Sequence, residues 1–229
     1  GSEQGNAGVG TPGAPNNIPN PCAGLGLPTD AVQINEIAYN SPPGFDTGNW
    51  LELHNNTNSA IDLSLWQLHE ADSAFLIPNG PTIPPNGFLL LAENPSLLQT
   101  FVPTIPVPVL GPMGFGLSNN GERLMLYTDG GCPVDSVNYD DKAPWPESPD
   151  GSGPSLSLKS SALDNGLPTS WEASQSIGTP GLDNNSDPCG SSPSRILITS
   201  ISYRIHPHLQ SAYLILIFHS HGPLHYISH

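Results

Sequence analysis

Two glutamates stand where strand-like alternation sets them on matching faces. In Trp50-Leu51-Glu52-Leu53, a period of two sends Leu51 and Leu53 to one side of a strand and Trp50 and Glu52 to the other. The same count groups Ile34 with Glu36 and puts Asn35 and Ile37 opposite. Glu36 and Glu52 are therefore a candidate carboxylate pair across neighbouring strands, an arrangement suited to general acid–base work or to a cation. A solvated or hydrogen-bonded sheet position in a structural module is the plainer reading, because no nucleophile or histidine accompanies them in sequence. His54 and His69 are the histidines of the strand-rich region, and each reads as a structural hydrogen-bonding residue. No Gly-x-Ser-x-Gly elbow or comparable motif is present, so the chain is expected not to be an enzyme.

Three further groups invite chemistry. In Asp183-Asn184-Asn185-Ser186-Asp187, the oxygens of Asp183, Asn185 and Asp187 take the first, third and fifth places of a calcium loop. Pro188 then follows and no later acid closes the loop. Calcium is the one candidate cofactor, and a polar linker is the competing reading. Cys22 and Cys189, each preceded by Pro, bracket the strand-rich region as a candidate disulfide with Cys132 as the odd thiol. Pairing of Cys132 with either, or no pairing, stays open. A Cys22–Cys189 bridge closes a very long loop, a contribution on the order of 4–5 kcal/mol in the chain-entropy account. His206-x-His208 and His219-x-His221 are chelating only if the tail that holds them is extended and native.

The elements that must carry these residues are short strands. No window has helical periodicity, and Pro or Gly interrupts nearly every candidate. Strands are expected at Val32 to Tyr39, Trp50 to Asn55, Ser64 to His69, Phe75 to Ile77, Gly87 to Ala92, Arg123 to Thr128, Asp135 to Tyr139 and Ser155 to Lys159. Between them, Asn79-Gly80, Asn86-Gly87, Asn120-Gly121 and Asp129-Gly130 each supply a residue suited to positive φ. Short strands at this spacing indicate an all-β sandwich or barrel. Trp50, Trp66, Trp145 and Trp171 are scattered among strands and loops, which fits core anchoring better than a carbohydrate-stacking row.

Composition bounds the partners. Twenty acids against five Lys and Arg give a net charge of −15 and a pI near 4.5. With so few cations, affinity for nucleic-acid phosphates is excluded on electrostatic grounds. The longest apolar run, Ala212 to Phe218, is far short of the ~20 residues of a membrane helix. Residues 1–28 are rich in Gly, Pro and Asn and read as a flexible linker. Residues 29–184 form the domain. Residues 185–229 are a linker plus a His-rich apolar tail, with no acid after residue 190. All twenty acids and three of the five cations precede that point, a local charge of −17. The abrupt change of texture favours a non-native tail over an extra hairpin. A start at Gly1-Ser2 without Met or a signal pattern fits a processed or engineered fragment, and low Lys with abundant Asn, Gly, Ser and Thr leans toward a secreted or surface protein.

Ten short motifs then fall into one familiar order: Ile34-Asn35-Glu36-Ile37, Trp50-Leu51-Glu52-Leu53-His54-Asn55, Ile61-Asp62-Leu63-Ser64-Leu65-Trp66, Ile83-Pro84-Pro85-Asn86-Gly87, Leu117-Ser118-Asn119-Asn120-Gly121-Glu122, Val134-Asp135-Ser136-Val137, Trp145-Pro146, Gly153-Pro154-Ser155-Leu156, Trp171 and Gly178-Thr179-Pro180-Gly181. In this the chain resembles the lamin tail domain in its bacterial extracellular form, over roughly residues 31–184. Leu65 departs from the pattern, since the family usually has Gly before that Trp. The resemblance implies an immunoglobulin-like β-sandwich acting as a non-catalytic extracellular interaction or targeting module of a larger secreted or surface protein. Its expected partner is a protein or surface polymer. The alternatives are a calcium- or carbohydrate-binding module and a structural spacer.

Overall fold

Apolar residues at every second position, cut by Gly, Pro and Asn turns, pair into antiparallel ladders that bury one face against another. A computed structural model describes residues 30–185 and, as backbone, two further strands near the C-terminus. In chain order the elements are β1 (Val32–Ala38), β2 (Trp50–Asn55), β3 (Ile61–Asp62), β4 (Gln67–His69), β5 (Ala74–Leu76), β6 (Thr82–Ile83), β7 (Phe88–Ala92), α1 (Pro95–Phe101), β8 (Val109–Leu110), β9 (Glu122–Tyr127), β10 (Pro133–Tyr139), β11 (Leu156–Leu158) and β12 (Trp171–Ala173). A separate unit holds β13 (Ile201–Ile205) and β14 (Ala212–Leu216), an antiparallel hairpin.

One sheet runs β12-β11-β1-β2-β7-β8 and the other β10-β9-β4-β5, with β3 and β6 as a separate small pair. Between the sheets lies the main core, with Ile34, Ile37, Leu51, Leu53, Leu89 and Leu156 from the first and Leu68, Leu124, Leu126 and Val137 from the second. Trp66, Trp145 and Trp171 join it. This is the all-β immunoglobulin-like sandwich that the motifs implied.

All eight expected strands form, with ends moved by at most three residues. Two-residue strands and β12 were not foreseen, because each is too short to show alternation. The helix is a correction. Asn94 accepts from the Leu97 N–H and Pro95 opens the first turn, the start signal of a helix, but seven residues cannot display helical periodicity. Positive φ falls on Gly80, Asn86 and Gly121 as expected, whereas in the fourth turn it falls on Gly131 rather than on Asp129-Gly130.

A second correction concerns β1. Ile34 pairs with Leu53 and Glu36 with Glu52, so Asn35 is an extra residue in a β-bulge. The bulge returns Ile34 and Ile37 to the same core and puts Glu36 on the opposite face from Ile34, against the simple count of two.

The outer face of the six-stranded sheet is covered in two halves. Trp50, Ala38, Leu90 and Ala92 lie under Leu98 of α1, with Val102, Ile105, Val107 and Val109 packed around them. Beside this apolar half, Glu36 and Glu52 lie beneath the segment 178–184, through contacts described next.

Candidate functional site

Glu36 and Glu52 are direct register partners on β1 and β2, and both are 0% exposed. Burying a carboxylate is costly unless donors replace its water. Glu36 receives them from two sources. From β11 and its N-terminal flank, the Ser155 hydroxyl donates to Oε1, and the Ser157 hydroxyl donates at 3.0 Å. From the C-terminal segment, the Thr179 N–H lies 3.1 and 3.2 Å from the two oxygens and its hydroxyl donates to Oε2 at 3.3 Å. Glu52 receives the Asn35 amide at 2.8 Å on Oε1 and the Gly181 N–H at 2.6 Å on Oε2.

The motif Gly178-Thr179-Pro180-Gly181 is thus a strap across the pair. Gly178 has φ +98 and Gly181 has φ +85, where a side chain is strained. Space is equally restrictive. A Cβ at Gly178 collides with Glu36 Oε1, and one at Gly181 lies 2.9 Å from Pro106 and Val107 atoms. Asn184 closes the strap by donating to the Asn35 and Leu158 carbonyls at 3.0 and 2.9 Å.

No cation neutralises the pair: among the described residues the ion pair recorded joins Lys142 to Asp141 at the surface. Desolvation pushes Glu36 up to about 7 against the pull of its donors. Desolvation, and then the neighbouring Glu36 charge, raises Glu52 well above the usual carboxylate range. Donor count ranks the two: Glu36, ringed by Ser, Thr and backbone donors, is the better supported as an anion, and Glu52, with two donors, is the more disposed to take up a proton. The hydrogen-bonding positions of the pair are occupied by the protein itself.

A third buried carboxylate, Asp135, was missed as a site residue. β11 pairs with β1 at Glu36 and Ile37, and beyond it the Ile34 N–H donates to Asp135 Oδ2 at 2.6 Å while the Asn165 amide donates to the Ile34 carbonyl at 3.2 Å and to Asp135 at 2.8 Å. Side chains here replace a missing strand beside the bulge. Burial raises Asp135 to about 6, opposed by these donors. The available signal was a lone acid in an apolar strand, Val134-Asp135-Ser136-Val137.

Other candidates fall elsewhere. Asp183 Oδ1 accepts from the Asn185 N–H at 2.8 Å and its amide at 3.2 Å, an Asx turn; Asp187 lies outside the described residues. Cys132 is disulfide-bonded, so it is not the odd thiol. The Cys22–Cys189 pairing therefore gives way to the alternative that includes Cys132, and Cys22 and Cys189 themselves lie outside the described residues. His206, His208, His219 and His221 lie there too. His54 stacks on Phe88 at 4.7 Å and burial lowers its pKa. His69 shares a hydrogen bond with Gln67 at 3.0 Å. No group of three or more His, Cys, Asp or Glu placed to hold a metal occurs among the described residues.

Unlike the sealed pair, one polar cleft is open. It encloses about 320 Å³ between the β1–β2 loop, the β7–α1 junction and Asn119.

Comparison with curated proteins returns no match. The family model described as Lamin Tail Domain matches residues 27–141. That span holds Glu36, Glu52 and Asp135, while Ser155, Ser157, Asn165, Thr179 and Gly181 lie beyond it and complete the same sandwich. The match, the two-sheet fold and the ordered motifs agree, and the chain belongs to the lamin tail domain family, a non-enzymatic family of immunoglobulin-like domains.

Proposed function

We propose that this domain is a non-catalytic interaction or targeting module of a larger secreted or surface protein, in the manner of the family's bacterial extracellular members, and that it contacts a protein partner through the edge hairpin β4–β5. One observation carries the reading. Leu76 on the edge strand β5 is 55% exposed, and Leu65 beside it is 41% exposed, held at φ +62. The Leu65 N–H donates to the Ile77 carbonyl at 3.1 Å, which brings the two leucines to one corner. A bulky apolar residue kept in the left-handed region costs roughly 1–2 kcal/mol, and strain of this kind gathers at functional positions. Asp62, Glu70 and Asp72 flank the corner in sequence, favouring a partner with apolar and basic side chains.

A photo-crosslinking amino acid at position 76 in the intact parent protein tests this, with exposed Gln99 on the other sheet's covering helix as the control position. Crosslinks to one discrete protein from 76 and none from 99 are expected. Equal crosslinking from both, or none from either, as a structural spacer predicts, overturns the reading.

A further inference from the structure

We infer that the polar cleft at one end of the sandwich binds a neutral sugar, at a site separate from the β4–β5 corner. Three segments build it: Asn40, Ser41 and Asp46 from the β1–β2 loop, Glu93 and Asn94 from the β7–α1 junction, and Asn119 from the loop before β9. Its volume of about 320 Å³ falls at the small end of ligand pockets and suits a single sugar ring.

The walls are preorganised. Asn49 donates its amide to the Tyr39 carbonyl at 2.7 Å, accepts the Leu117 N–H at 2.8 Å and receives the Glu93 N–H on its carbonyl at 2.8 Å. One residue, through its side-chain amide and its backbone carbonyl, therefore ties the three segments together. Gly116 packs so closely that a Cβ there lies 2.7 Å from Asn49 Oδ1. Ser41 and Thr47 share a 2.8 Å hydroxyl bond, and Asp46 accepts the Gly48 N–H at 2.9 Å. Tyr39, also in the wall, is 1% exposed and its hydroxyl has no hydrogen-bond partner within the protein.

The chemistry of the lining selects the ligand class. Of the four Asn in the lining, Asn49 is taken up by the walls, Asn40 gives its amide to Asp150 and keeps its oxygen, and Asn94 gives its oxygen to the Leu97 N–H and keeps its amide. Asn119 keeps both ends, beside the carboxylates of Asp46 and Glu93 and the Ser41 hydroxyl. Vicinal hydroxyls, which donate and accept, match such a set. No Lys, Arg or His lines the cleft, so phosphate and carboxylate ligands lack a counter-charge and meet Asp46 and Glu93 instead. Two carboxylates fall short of the charged donor set typical of a calcium site. An apolar ledge adjoins the polar floor. Leu97 lines the cleft, Phe101 is four residues on along α1 and so near the same face, and its ring stands 4.5 Å from Phe45. Phe45 is 37% exposed and directly precedes Asp46, which offers an aromatic surface for the C–H face of a pyranose.

Backbone NMR of the isotopically labelled full chain tests this, with titrations of neutral hexoses and N-acetylhexosamines, glucuronate and calcium alone. Saturable shifts with a neutral sugar, clustered on Asn40, Asp46, Asn94 and Asn119, are expected. Asn119→Ala and Glu93→Gln, both at exposed positions, should keep the parent melting curve and each weaken binding roughly tenfold. Phe45→Ala should weaken it as well. No saturable shift with any neutral sugar, a preference for glucuronate, or cleft shifts produced by calcium alone overturns the inference. Each of these results leaves crosslinking at position 76 unaffected, so the two proposals stand or fall separately.

Discussion

Two carboxylate pairs occupy this domain, and their surroundings set them apart. Glu36 and Glu52 share a row of the six-stranded sheet and are fully buried under a strap that meets them with donors. Asp46 and Glu93 face each other's loops across an open cleft, one engaged with the Gly48 N–H and the other with a long 3.4 Å contact from the Asn49 N–H. The first pair is conspicuous in sequence and its polar capacity is used up within the fold. The second comes from loops far apart in sequence and keeps capacity for a ligand. Residue type nominates a site, but donor saturation and access decide whether it is one.

The sharpest way to break the contrast is Glu36→Ala. It strands the Thr179 N–H and the Ser155 and Ser157 hydroxyls in the interior. A loss of about 3–4 kcal/mol in chemical denaturation is expected, and a loss within experimental error means that the strap does not depend on the pair.

Next in size is the response to pH. Glu36 at about 7 and Asp135 at about 6 lie above their ordinary values of 4.5 and 3.8, and Glu52 is raised too. The folded domain therefore binds more protons than the unfolded chain between about pH 4 and 7. Stability should rise by a few kcal/mol on going from pH 8 to pH 5, the reverse of ordinary acid weakening. Denaturation midpoints across that range measure it. Glu52→Gln, a neutral copy of the protonated acid, should stabilise the domain at pH 8 and flatten the profile. Glu36→Gln should destabilise it, because its amide turns donors toward donors. Equal effects of the two variants would erase this ranking of the two acids.

A smaller effect separates strain from contact. Leu65→Gly relieves the positive φ at the cost of a more flexible unfolded chain, for a net gain of about 0.5 kcal/mol in thermal stability. The same change should reduce crosslinking from position 76. The smallest effect belongs to the open pair: Glu93→Gln should shift stability by less than about 0.5 kcal/mol, as for surface changes generally, with the parent's pH profile retained in the same melts.

Alternation in Trp50-Leu51-Glu52-Leu53 made the register of Glu52 legible, and the opposition of Glu36 to Glu52 held. The bulge did not show, because an inserted residue such as Asn35 leaves no mark on a hydrophobic pattern. Partners were harder still. Ser155, Ser157 and Thr179 lie 119 to 143 positions from Glu36, and no local rule joins them. Their motifs, Gly153-Pro154-Ser155-Leu156 and Gly178-Thr179-Pro180-Gly181, were visible as family texture without visible purpose. The cleft was invisible because Asn40, Glu93 and Asn119 meet only after three loops fold around Asn49. Leu65 was the opposite case: one residue out of pattern marked a backbone position that does hold positive φ.

The Asn184 clasp has a mechanical consequence. Asn184 grips the Asn35 carbonyl of β1 and the Leu158 carbonyl of β11, while Thr179 holds Glu36 of β1 and Gly181 holds Glu52 of the adjoining β2. Tension applied between residue 30 and residue 185 therefore enters and leaves through adjacent parts of one sheet. The load falls on a short row of polar bonds while the tryptophan-filled interior is bypassed. A domain tethered this way resists pulling through its strap, and the rate at which that strap yields governs its lifetime under force.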